Sequence, residues 1–163
     1  NPCPCGYFTD PNKECTCNTA QIQKYMSRIS GPLLDRIDIH IEVPAVKFKD
    51  LTSSSVGEKS EDIRKRVVNA RGIQHKRFES IKHIFCNADM GTKELKKYCK
   101  IDSASEELLK MAMTRLGLSA RAYDRIIKVS RTIADLEGTE NILPNHISEA
   151  IQYRSLDREL WGH

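Results

Sequence analysis

With 163 residues, 39% hydrophobic and 29% charged, the chain has the composition of a globular protein with room for one medium or two small cores. No apolar run approaches the roughly 20 residues that span a bilayer, and no charged-then-apolar leader opens the chain, so the expectation is a cytoplasmic protein with no membrane partner. The net charge of +4 and the pI near 8.7 are a mild basic bias, a weak pointer to nucleic acid.

Residues 1–17 are rich in Pro, Gly, Cys and Asn and read as a loop. Asn1-Pro2-Cys3-Pro4-Cys5 lacks an initiator Met and reads as the interior of a longer protein. Four of the six cysteines, Cys3, Cys5, Cys15 and Cys17, fall in this stretch as two C-x-C pairs. Four thiolates suffice for a closed, tetrahedral, structural zinc site, although the spacing is tighter than the usual two-residue gap of a zinc knuckle. Free or oxidised thiols, or an iron–sulfur cluster, remain open from spacing alone.

Asn18 or Thr19 can cap a helix carrying Ile22, Tyr25, Met26 and Ile29, which Gly31-Pro32 stops or restarts. Ile37, Ile39, Ile41 and Val43 alternate with polar residues, which predicts a strand over 37–43 ended by Pro44. A lone strand forms no stable sheet, so its partners must lie upstream or on another chain. Arg36, directly before this strand and flanked by Asp35 and Asp38, suits either a guanidinium aimed at a phosphate on a neighbouring subunit or a surface Arg–Asp ion pair.

Residues 44–59 read as loop. From Ser60 a helix is predicted, with Ile63, Val67, Ala70 and Phe78 on its apolar side. Arg64, Lys65, Arg66, Arg71, Lys76 and Arg77 crowd this segment, either as a solvated face or as contacts to a phosphate backbone. Thr92 can cap a short helix with Leu95 and Tyr98. Ser103 and Glu106 form a candidate capping box before the stripe Leu108, Leu109, Ala112, Met113 and Leu116, closed by Gly117. Ser119 caps a helix burying Ile126, Val129, Ile133 and Leu136 and stopping at Gly138; Arg121 lies in its first turn, where an anion is favoured. Pro144 suits the first turn of a last helix with Ile147, Ala150 and Ile151 inward.

The predicted fold is mainly α: a truncated α/β remnant, helix plus strand, followed by a C-terminal helical bundle. The divisions are 1–45 for the remnant with its Cys-rich insert, 46–91 for linker and basic helix, and 92–163 for the helical lid.

Asn1–Gly6, Ser30–Asp38, Leu118–Arg125 and Thr132–Leu136, taken in order, resemble the magnesium-chelatase-like AAA+ ATPases of the ComM (YifB) family. The likeness covers nearly the whole chain, and it makes the remnant part of an AAA+ core. It implies that Asn1 is the sensor-1 residue that orients the attacking water, that Arg36 is an arginine finger offered in trans, and that Arg121 is the sensor-2 arginine, with Arg125 one turn on as the fallback. It further implies a homo-oligomeric ring that uses ATP and Mg²⁺ and acts on DNA in branch migration or recombination, with no other small-molecule substrate. Arg64, Lys65, Arg71, Lys76 and Arg77 are then the candidate DNA contacts.

No G-x-x-x-x-G-K-[ST] phosphate loop occurs in these residues, and no acidic Walker-B strand end precedes Asn1. The expectation is that these residues alone neither bind ATP tightly nor hydrolyse it, while the parent protein does. Two other readings stay open: an ATPase subunit that drives metal insertion into a porphyrin, and a non-enzymatic, zinc-stabilised helical interaction module.

Overall fold

The structure, a computed structural model, describes residues 1–41, 43, 46 and 57–154. Among the described residues there are seven α-helices, one 3₁₀ turn and no strand.

After the cysteine loop comes α1, Thr19–Met26. Asn18 is its cap: its side chain accepts from the Gln21 amide and the Gln21 side chain accepts from the Asn18 amide, both at 2.9 Å. A single turn, α2 (Gly31–Leu34), follows, with Pro32 at a first-turn position where its missing N–H costs nothing.

The strand expected over 37–43 does not form among the residues described there, 37–41 and 43. Its alternating apolar residues make a sheet face, but a ladder needs a neighbouring strand to take its amides, and the described residues supply none. The segment instead lies as a strap against the end of the last helix. The His40 amide donates to the Tyr153 carbonyl at 2.8 Å, and Arg154 Nη1 donates to the Ile37 carbonyl at 2.5 Å. Glu42 and Pro44 of the predicted strand, most of the 44–59 loop, and residues 155–163 of the predicted lid lie outside the described residues.

The long helix α3 spans Ser60–Phe78. Ala70, Gln74 and Phe78 on its last turns are buried, whereas residues 60–69 are all exposed. Ile63 and Val67 share the stripe of Ala70 but are 42% and 47% exposed, because the bundle they were expected to pack on stops short of them. A 3₁₀ turn (Asn87–Asp89) then leads into α4 (Thr92–Tyr98), α5 (Ser103–Leu116), α6 (Ala120–Glu137) and α7 (Pro144–Gln152).

The helix boundaries follow local chemistry. Gly91, not Thr92, occupies the cap position of α4. Asp102 rather than Ser103 caps α5, accepting from the Ser105 amide at 2.8 Å. A carboxylate there meets both the unpaired amides and the positive end of the helix dipole, so the expected Ser103–Glu106 box gives way to it. Ser119 caps α6 as expected, accepting from the Ala122 amide at 3.2 Å. Gly117 and Gly138 end α5 and α6 with φ of 58° and 72°, the left-handed conformation that glycine adopts without strain.

The core joins α3 to α7 around α6. Phe78, Met90, Leu95, Cys99, Leu109, Ile126, Ile133 and Ile147 are buried in one cluster, with Phe78 and Tyr98 edge to face at 5.6 Å. Leu136, expected inside, is 42% exposed. Helix α6 is thereby a fixed spar from whose first turn Arg121 projects.

Candidate functional site

The four clustered cysteines do converge. Cys3, Cys5, Cys15 and Cys17 place their sulfurs within 4.8 Å of one another. Cys3 Sγ lies 3.3 Å from Cys5 Sγ and 3.7 Å from Cys15 Sγ, and Cys5 Sγ lies 3.6 Å from Cys15 Sγ. A zinc ion with bonds of about 2.3 Å to four sulfurs at tetrahedral corners sets them about 3.8 Å apart, so the donor set fits that ion. Gly6, at φ 85°, supplies the left-handed turn that folds the chain back, and its amide donates to the Cys3 carbonyl at 3.1 Å.

The thiols are electrostatically unequal. Backbone amides, led by that of Tyr7, pull Cys5 down to about 5. Burial opposes ionisation of Cys3, yet the Phe8 amide, which donates to its sulfur at 3.3 Å, helps to hold it below the ordinary thiol range. Cys15 gains from the Cys17 amide, but burial and the neighbouring sulfurs of Cys5 and Cys3 push it up to about 12. Cys17 also lies above the ordinary value: the Cys5 backbone lowers it, and burial with the same two sulfurs outweighs that. Four thiolates this close would need a cation between them, and binding one would expel the protons that Cys15 and Cys17 retain.

Asn1 is exposed beside this loop, with its Cγ 4.0 Å from where a Cβ on Gly6 would stand. An ion held there would have all four positions filled by sulfur, which is the pattern of a structural rather than a catalytic metal site.

The arginines sort into two sets. Asp38 pairs with Arg125 at 2.6 Å, and Asp35 with the buried Arg154 at 3.8 Å. Both aspartates that flank Arg36 are thus held by arginines from α6 and the end of α7. Arg36 itself is exposed and donates to the Pro32 carbonyl at 2.7 Å, which caps the end of α2. Arg121 is exposed on the first turn of α6. Among the described residues neither Arg36 nor Arg121 has a carboxylate partner.

The basic helix divides in the same way. Lys65 is bridged to Glu61 at 3.0 Å and to Asp62 at 3.6 Å, and Arg66 to Glu58 at 2.8 Å, all as exposed pairs of small energetic weight. Arg64, Arg71 and Lys76 are exposed without a carboxylate partner among the described residues. Arg77, grouped with them in the sequence, turns inward: it grips both oxygens of Asp135 and donates to Asn87 Oδ1 at 2.8 Å.

That inward contact belongs to a network the sequence reading missed. Asp135 has no exposed side-chain surface and also accepts from Arg131 Nε at 3.1 Å and Asn87 Nδ2 at 2.8 Å. Arg131 spends its other donors on the Glu140 and Thr139 carbonyls, at 2.6 and 2.7 Å, which holds the turn after α6. The Asn87 amide donates to Gln74 Oε1 at 3.1 Å. The signal was present: Arg131 and Asp135 stand four apart inside the apolar stripe of Ile127 and Ala134, and charges there must be paired.

The geometry can be set beside known proteins. The C-terminal domain of the magnesium chelatase subunit ChlI matches residues 57–154, and the magnesium chelatase subunit ChlI family matches residues 1–51. The chain belongs to the magnesium-chelatase-like family of AAA+ proteins, in its ComM/YifB group. It is 41% identical over 161 residues to the competence protein ComM of Haemophilus influenzae, covering 98% of this chain and 30% of that protein. It is 37% identical over 161 residues to YifB of Escherichia coli and to YifB of Salmonella typhimurium, with the same coverage of 98% and 30%. The chain thus spans less than a third of the length of these relatives. Among the described residues no helix is long and apolar enough to cross a membrane.

Proposed function

We propose that these residues are the responding part of a ring-forming AAA+ ATPase that acts on DNA, and that the complete protein uses ATP and Mg²⁺. The observation that carries this reading is the division among the arginines. Arg125 and Arg154 consume the carboxylates of Asp38 and Asp35, and among the described residues Arg36 and Arg121 are left without a carboxylate partner. A guanidinium that is positioned but not neutralised suits the charge that develops on a transferring phosphoryl group. Arg36 is then the finger offered across a ring interface and Arg121 the lid arginine of the subunit's own nucleotide. Asn1, beside the metal loop, orients the attacking water.

In the pairing described above, Arg125 is a structural tie to the strap, so the sensor-2 role falls to Arg121. A zinc ion bound by Cys3, Cys5, Cys15 and Cys17 would fix the turn that carries Asn1. The reading of DNA action comes from the family resemblance and is supported by the exposed Arg64, Arg71 and Lys76, which supply backbone charge without sequence readout.

The test is ATP turnover by the complete protein. Arg36→Ala is expected to lower turnover by about 10³–10⁵ while nucleotide binding persists. Arg121→Ala is expected to weaken both, and Arg125→Ala to act mainly on thermal stability. Full turnover by Arg36→Ala would remove the finger assignment, and turnover by residues 1–163 alone would remove the division of labour.

A further inference from the structure

Phe85 is 67% exposed, the largest exposure of any Phe or Tyr among the described residues. An exposed Phe on a frayed loop would carry no message, but this loop is built. Asp89 Oδ2 accepts from the Phe85 amide at 3.0 Å and from the Cys86 amide at 3.2 Å. Lys128 Nζ donates to the Ala88 carbonyl at 2.8 Å, which ties the same loop to α6. Asn87, two residues on, is fixed to Gln74 and Arg77 of α3 and to Asp135. The ring is therefore held out in solvent next to the last turns of the basic helix, at low entropic cost for binding.

Its surroundings carry more positive than negative charge, although the exposed carboxylates of Glu79 and Asp89 stand among them and Asp89 accepts from the Phe85 amide itself. Arg64, Arg71, His75 and Lys76 of α3, and Lys82 and His83 of the following loop, are exposed and without carboxylate partners among the described residues. Arg64, Arg71 and His75 share one side of the helix, Lys76 lies about 120° round from Arg64, and Arg64 to Lys76 spans about 18 Å along the axis. An excess of positive charge complements a phosphate backbone, and an exposed aromatic ring near it matches the π-face of a base. A closed duplex keeps its bases stacked on one another and must be kinked open before a ring can enter, so an exposed ring stacks on a base at least cost where the strand is unpaired.

We propose that Phe85 is a stacking platform for a base of unpaired nucleic acid, with Arg64, Arg71 and Lys76 holding the adjoining phosphates. The inference rests on the DNA reading above and narrows it to single-stranded or frayed substrate.

The experiment measures fluorescence anisotropy of labelled 20-nucleotide single strands, duplexes and abasic strands with the complete protein and its variants. Phe85→Ala is expected to weaken single-strand binding about tenfold and to leave duplex and abasic binding unchanged; Phe85→Trp should retain it. The triple change of Arg64, Arg71 and Lys76 to Ala should weaken all three substrates and flatten the salt dependence. Because Phe85 is exposed, its replacement should leave the melting temperature in place, which separates a binding loss from misfolding. Steeply salt-dependent binding that Phe85→Ala leaves intact on every substrate would overturn the stacking platform and keep the DNA reading. No binding to any substrate by the wild-type protein would overturn both.

Discussion

Between Asn1 and Ile41 only Cys3 is buried, whereas residues 57–154 share one apolar cluster that runs from Phe78 to Ala150. The first region has no core to order it. Its shape comes from four sulfurs that converge, one capping box, and four ties from the strap to α6 and to the end of α7, through Arg125, Arg154 and the carbonyl of Tyr153. The bundle is ordered by burial, with one charged network inside it. The difference sets a rigid element against loosely tied ones: α6, packed in the bundle, carries Arg121, while Asn1 and Arg36 sit on segments held by a few polar contacts and, on the reading proposed above, by an ion among the four sulfurs.

Metal removal should break this comparison most sharply. A structural zinc contributes about 10 kcal/mol or more to the segment it orders, so chelation should unprotect residues 1–17 in hydrogen exchange. The protection and helical signal of 57–154 should be unchanged. Loss of both together would mean that the bundle depends on the loop.

The next largest effect is expected inside the bundle. Asp135→Ala leaves Arg77 and Arg131 facing each other without their shared carboxylate, and removing one partner of a buried ionic network costs about 3–5 kcal/mol. Urea denaturation would read it. A cost under about 1 kcal/mol would show that the bundle does not need its internal charges.

Cys99 gives a smaller, pH-dependent effect. Burial pushes its thiol up to about 11, although Arg131 and Arg77 pull the other way. An unfolded thiol ionises near 8.5, so the folded state holds a proton that the unfolded one has lost. The stability from this protonated thiol is complete below about pH 8.5 and drains away as pH rises towards about 11. Melting temperatures of the native chain and Cys99→Ala between pH 8 and 11 check it: the variant should fall less steeply, and equal slopes would contradict the burial argument.

The α-helical periodicity and most helix stops of the bundle were legible, because glycines in left-handed turns and polar caps are local signals. The capping of α5 was misread because Asp102 and Ser103 are adjacent candidates and only the observed bond decides between them. The strand was legible as a pattern but not as a structure, since period-two alternation states a preference that a neighbouring strand must complete. The cysteines announced themselves by density. The isolation of Arg36 did not: it depends on Arg125 and Arg154, 89 and 118 positions away, taking Asp38 and Asp35. Arg77 looked like its basic neighbours because nothing in α3 reveals Asp135.

The smallest expected effects lie at the edges of the comparison. Ser119→Ala removes the α6 cap and should cost about 1 kcal/mol in chemical denaturation, while Lys65→Ala should change stability by no more than a few tenths. A larger effect of Lys65 than of Ser119 would mean that the projecting half of α3 is not the solvated segment described here.

The most direct test of the central claim mixes two defective versions of the complete protein in equal amounts. One carries Arg36→Ala and the other Arg121→Ala. If Arg36 serves the neighbouring subunit and Arg121 its own, a random ring regains about one quarter of its sites in complete form, and turnover should return to about that share of wild type. A mixture no more active than either variant alone would contradict the claim.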